Sequence, residues 1–95
     1  MREGFVYILT NRKNGVLYIG ATNDLSKRIE QHRAGGVPGF AKKYQCRSLV
    51  WFERFDNVHD ARIVERRMKA WKRDWKIELI EKTNPGWSDL SDRLV

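Results

Sequence analysis

The sequence predicts a small α+β domain: a three-stranded, mainly antiparallel sheet flanked by helices in the order β-β-α-β-α-α. Three observations lead there. Two short apolar runs, 5–9 and 16–20, bracket an Asn-Gly turn. Further on, Val64, Met68, Trp71 and Trp75 recur at a spacing near 3.6, the period of an α-helix. Finally, 95 residues that are 41% hydrophobic and 12% aromatic fit one domain with one modest core, and are too rich in core residues for a disordered chain.

Taken in order, Phe5–Leu9 is an aromatic and β-branched run suited to a strand. Asn14-Gly15 then supplies residues that tolerate positive φ, and Val16–Gly20 is the returning strand. Tyr7 and Tyr18 are expected across from each other on one face of this hairpin. Thr22, Asn23 and Asp24 can each cap a helix over about 23–34, which carries Leu25 and Ile29 on one face and stops at Gly35. A flexible loop, 35–39, leads to the basic stretch 41–44, and Leu49–Phe52 is the third strand. Asn57 or His59 precedes a long helix that begins near Asp60 and runs on with a bend through Ile77–Glu81. Asn84-Pro85-Gly86 ends it, and Trp87–Leu90 is a short terminal turn. Trp51, Trp71, Trp75, Trp87 and Cys46 are expected in or at the edge of the core.

Several classes are excluded at once. A single cysteine makes no internal disulfide and no cysteine-cluster zinc site, and it fits a reducing, cytoplasmic setting. No run approaches the roughly 18 apolar residues of a membrane span. The opening residues turn polar too quickly for a secretory signal. No glycine loop has the spacing that cradles a nucleotide, so no small-molecule cofactor is expected. The net charge of +7 points to a polyanionic partner, with nucleic acid first. Residues 61–76 hold seven Lys/Arg against two Asp/Glu, so more than half of the excess lies there. Lys42, Lys43, Lys69, Lys72 and Arg73 are the candidate phosphate contacts.

Against this basic background a small set of residues has the chemistry for phosphodiester hydrolysis. Glu65 is one of the two acids in the basic block, and a lone carboxylate with substrate phosphate is a common way to hold Mg²⁺. Arg28 and His32, four apart, share a helix face. The first offers a fixed cationic fork for charge developing on phosphorus. The second, or a tyrosine, offers a proton-transfer group. No Ser-His-Asp or Cys-His arrangement competes.

The ordered set Val6-Tyr7-Ile8-Leu9, Leu17-Tyr18-Ile19-Gly20-Ala21-Thr22, Leu25, Arg28, His32, Glu65 and Asn84 resembles the motifs of the GIY-YIG nuclease superfamily over about residues 4–90. The chain is most similar to the small single-domain bacterial members regarded as endonucleases. The first triplet departs from the pattern: it reads Phe5-Val6-Tyr7, with Gly4 one position early. The resemblance implies a three-stranded antiparallel sheet flanked by helices and metal-dependent cleavage of DNA at one active site. By carry-over Glu65 would hold one Mg²⁺ or Mn²⁺, and Arg28 would stabilise the phosphorane-like transition state. Tyr7 or Tyr18 would act as or position the general base, and His32 would assist proton transfer or orient the water. Gly20 would permit close packing beneath the site, and Asn84 would support it. The expected partner is DNA, with branched or damaged forms among the candidates.

Each of these residues also has a plain structural role open to it. The tyrosines can be cross-strand packing residues. Arg28 can pair with Asp24 or Glu30, and His32 can sit against a helix C-terminus. Glu65 can be an i,i+4 partner of Lys69, and Asn84 a helix stop. Two other functions stay open: a nucleic-acid-binding module that kept the fold without turnover, and a protein-interaction domain whose basic helix meets an acidic partner.

Overall fold

In a computed structural model that describes residues 3–94, the hairpin forms first in the chain. Strand β1 spans Gly4–Thr10 and β2 spans Leu17–Thr22. Asn14 takes the left-handed conformation at φ 58° in the turn between them. Helix α1, Leu25–Arg33, is capped by Asp24, whose side chain accepts from the Lys27 N–H. Past its end, Gly35 turns left-handed at φ 72°. Strand β3 spans Ser48–Phe55, one residue before and three beyond the apolar run 49–52. Helix α3, Val58–Lys69, is capped by Asn57, which accepts from the Asp60 N–H at 2.8 Å. Helix α4 covers Arg73–Thr83, and a terminal 3-10 turn covers Leu90–Leu94.

The sheet order is β2-β1-β3, antiparallel throughout, as expected of this α+β class. Alternation along β1 splits the core into two layers. Val6 and Ile8 face Val50, Ala61, Met68 and Ile80, beneath α3 and α4. Tyr7 and Leu9 face Leu25, Ile29, Ala41 and Leu49, beneath α1 and the segment after it. Gly4 lets α3 close onto β1, because a Cβ there would lie 2.5 Å from the Val58 Cα and 2.9 Å from the Ala61 Cβ. The displaced glycine of the first triplet is thus a packing glycine that seats the helix carrying Glu65.

Three expectations are corrected. The basic stretch contains a further short helix, α2, spanning Phe40–Lys43 between α1 and β3. The long helix is two helices, because the chain breaks at 70–72. Ala70 and Trp71 close the last turn with i→i+3 bonds to Arg67 and Met68, and Lys72 is extended at ψ 147°. Trp75 therefore leaves the apolar stripe and is 53% exposed, while Trp51 and Trp87 are buried and Trp71 is half-buried.

Candidate active site

The register of the hairpin sets the site. Tyr7 pairs with Gly20 across the strands, and Tyr18 pairs with Leu9. The two tyrosines are therefore diagonal neighbours on one face rather than directly opposite, with ring centroids 6.2 Å apart. The fully buried Tyr7 ring lies across the position where a side chain at residue 20 would stand. A Cβ on Gly20 would come within 2.5 Å of the Tyr7 Cζ.

From the facing helix, His32 closes the group. Its Nε2 shares a buried hydrogen bond of 3.1 Å with the Tyr7 Oη. Its ring lies 5.9 Å from Tyr7 and 5.3 Å from Tyr18. Burial lowers the His32 pKa below 6.5, and the Arg28 charge lowers it further, so the imidazole is neutral at neutral pH. Burial raises the Tyr7 pKa well above its ordinary value, Tyr18 and Glu65 push the same way, and Arg28 opposes them. Tyr7 is thus a protonated hydroxyl beside a neutral imidazole, and both feel the Arg28 charge. Arg28 pairs with neither Asp24 nor Glu30 among the described residues, which leaves its fork available.

Helix α3 brings Glu65 from the other layer, near enough for its charge to act on Tyr7. Its side chain is 16% exposed and meets the Lys69 Nζ at 2.7 Å, the i,i+4 partnership that the spacing allows. Among the described residues no three His, Cys, Asp or Glu side chains gather as a metal-binding cluster. A closed all-protein metal site does not fit this donor set. A hard cation held by one carboxylate and completed by phosphate oxygens and water does fit.

The remaining sequence candidates separate. Asn84 is buried at the end of α4, where its amide donates to the Val50 and Ser88 carbonyls at 3.1 and 2.9 Å and its Oδ1 accepts from the Ser88 N–H at 3.0 Å. Those bonds join α4, β3 and the terminal segment. Arg73 donates to the Asn14 and Gly15 carbonyls at 2.8 and 2.6 Å, tethering the hairpin turn to α4. Lys69 is committed to Glu65, and Lys42, Lys43 and Lys72 are exposed.

Two residues close to the site were not singled out from sequence. Phe40 stacks against Tyr18 at 6.4 Å between centroids, and Tyr44 packs on Phe40 at 4.7 Å. The available signal was an aromatic pair four apart interleaved with two lysines, straight after a glycine-rich loop.

Two tyrosines on a hairpin, an arginine and a histidine on the next helix, and a glutamate on the helix after the third strand follow the GIY-YIG arrangement. The family model described as the GIY-YIG catalytic domain matches residues 3–78, and the chain belongs to that family of nuclease-type domains. It is similar to a UPF0213 protein of Pediococcus pentosaceus, 32% identical over 88 residues and 93% of each chain. It is also similar to a UPF0213 protein of Clostridium perfringens, 38% identical over 76 residues, 80% of this chain and 81% of the other. Its fold is similar to the solution NMR structure of a UPF0213 protein of Bacillus halodurans, with a TM-score of 0.53 and 26% identity over 92% of both chains. No helix among the described residues is long and apolar enough to cross a membrane.

Proposed function

We propose that this chain is a divalent-metal-dependent endonuclease that hydrolyses DNA phosphodiester bonds by a one-metal route. The observation that supports it best is the Tyr7–His32 hydrogen bond with Tyr18 packed against both rings, in the field of Arg28 and Glu65. Glu65 would hold Mg²⁺ or Mn²⁺, exchanging its Lys69 partner for the ion. Such an ion polarises a phosphate oxygen and lowers the pKa of bound water. Arg28, with no carboxylate partner among the described residues, would take the charge developing on phosphorus. Tyr7 stays protonated and, anchored by His32, fixes the geometry of the pair. Tyr18, half-buried beside the exposed Phe40, is the tyrosine that meets the attacking water. Tyr18 would take the water's proton while passing its own to the Tyr7 hydroxyl, and Tyr7 would pass its own to the Nε2 of neutral His32, so both tyrosines end protonated and His32 holds the proton.

A crystal structure with Mn²⁺ and a non-hydrolysable phosphorothioate DNA tests the arrangement. Manganese on Glu65, with Arg28 on the same phosphate, supports it. Bound DNA with no metal on Glu65 and Arg28 turned away contradicts it.

The Glu65–Lys69 ion pair favours one rival, a non-catalytic nucleic-acid-binding module on the same fold. That rival predicts DNA binding that Glu65→Ala preserves or strengthens, since one repelling charge is removed, with no cleavage by either protein.

A further inference from the structure

Beyond the cluster at Tyr7 and Tyr18, the rings continue outward. Tyr18, Phe40 and Tyr44 follow one another at 6.4 and 4.7 Å, and the Lys43 Nζ sits 5.4 Å from the centre of the Tyr44 ring. Phe40 is 50% exposed and Tyr44 40% exposed. Phe40 also walls a groove of about 250 Å³ with Val16, Leu17, Arg73 and Lys76. Two large rings held at the surface, next to a candidate phosphate-cleaving centre and among lysines, suit an occupant that is flat on one side and anionic on the other.

We propose that Phe40 and Tyr44 form a stacking subsite for a nucleobase of the strand being cut, with Lys42 and Lys43 meeting its phosphates. This rests on the nuclease reading of the neighbouring centre and adds a requirement to it. Inside a duplex both faces of a base are covered by its neighbours. A base that stacks on Phe40 has left the helix, so the strand is unpaired or turned out at that position. Protein docking is disfavoured, because lysines are depleted from protein interface cores, whereas grooves for single strands combine aromatic rings with cations. Trp75, also exposed among the described residues, lines a separate groove with Glu78 and Lys82, whose opposite charges leave it no net attraction for phosphate.

The test is binding of a fluorescently labelled oligothymidylate, compared with an abasic oligonucleotide of the same length and charge, without divalent metal so that nothing is cleaved. Stacking on aromatic side chains strengthens binding about tenfold or more per base. The wild-type protein is expected to prefer the base-bearing strand by at least that factor. The Phe40→Leu/Tyr44→Leu double variant should lose the preference while keeping its melting temperature, and Phe40→Tyr should retain it. Equal affinity of the wild type for both strands, no binding to either, or an unchanged preference in the double variant overturns the proposal. Because cleavage is not read, a protein that discriminates the strands yet never cuts sinks the nuclease reading alone. One that cuts without discriminating sinks the stacking subsite alone.

Discussion

Gly20→Ala gives the sharpest perturbation of the site, because one methyl group enters a place that Tyr7 already fills. The new Cβ would sit 2.5 Å from the Tyr7 Cζ, far inside van der Waals contact. Tyr7 has little room to give way: it is 1% exposed, packed between strands, and bonded to His32. Overpacking of this kind costs about 1–3 kcal/mol. If the ring moves enough to break its bond to His32, about 1 kcal/mol more is lost. A total of roughly 2–4 kcal/mol is a large share of the stability of a small domain. At about 4–8 °C per kcal/mol the melting temperature should fall by at least about 8 °C. Thermal unfolding by circular dichroism reads this directly. The same substitution in a Tyr7→Leu background should cost much less, since the obstructing ring is gone, giving a coupling of about 1 kcal/mol or more. Gly36→Ala is the control, since its Cβ would meet nothing closer than the Gln31 carbonyl at 3.5 Å. A melting temperature for Gly20→Ala within about 2 °C of wild type, or equal costs in the two backgrounds, would refute the close-packing argument.

Three further predictions follow from named contacts. Arg73→Ala removes two charge-assisted bonds to the hairpin turn and should lower stability by about 1–2 kcal/mol in urea denaturation; lost DNA affinity at unchanged stability would make it a phosphate contact instead. Asp89 lies partly buried, which opposes its ionisation, yet bonds from Ser91, Arg33 and the Leu49 N–H hold its carboxyl below the ordinary 3.8. Its stabilisation is complete above that value and is lost as pH falls further, so Asp89→Asn should be destabilised at neutral pH and show a flatter acid limb of stability against pH. His32 has linkage of the same sign at higher pH: its folded pKa is depressed, so the unfolded chain binds the extra proton and stability falls as pH drops below 6.5. Chemical denaturation at neutral and mildly acid pH should show that fall in wild type and a smaller one in His32→Gln.

The parts of the fold legible in the sequence are those fixed by local chemistry. Asn14-Gly15 between two apolar runs announces the hairpin, and Asp24 and Asn57 are helix caps whose side chains accept the bonds that cap chemistry requires. The helix at Phe40–Lys43 is too short to show a period, so nothing in the pattern marked it. The break at 70–72 has no proline or glycine, and Trp71 and Trp75 continue the apolar spacing straight through it. The order of Tyr7, Tyr18, Arg28, His32 and Glu65 was legible as a motif, but the pairings were not. The Tyr7–His32 bond spans 25 positions and the Arg73 tether spans 59. Such contacts depend on how layers stack, which no local pattern encodes. Gly20 was the exception, since the resemblance to the nuclease motifs already implied close packing there, where the Tyr7 ring lies against it.

The most direct measurement is the single-turnover cleavage rate of DNA by wild type, Glu65→Ala and Arg28→Ala across a series of Mn²⁺ concentrations, on duplex, single-stranded and branched substrates. The account predicts metal-dependent cutting by the wild type on at least one substrate. It predicts a loss of roughly a thousandfold or more in Glu65→Ala and about a hundred- to a thousandfold in Arg28→Ala. The same trace rate in all three proteins at every metal concentration would contradict it.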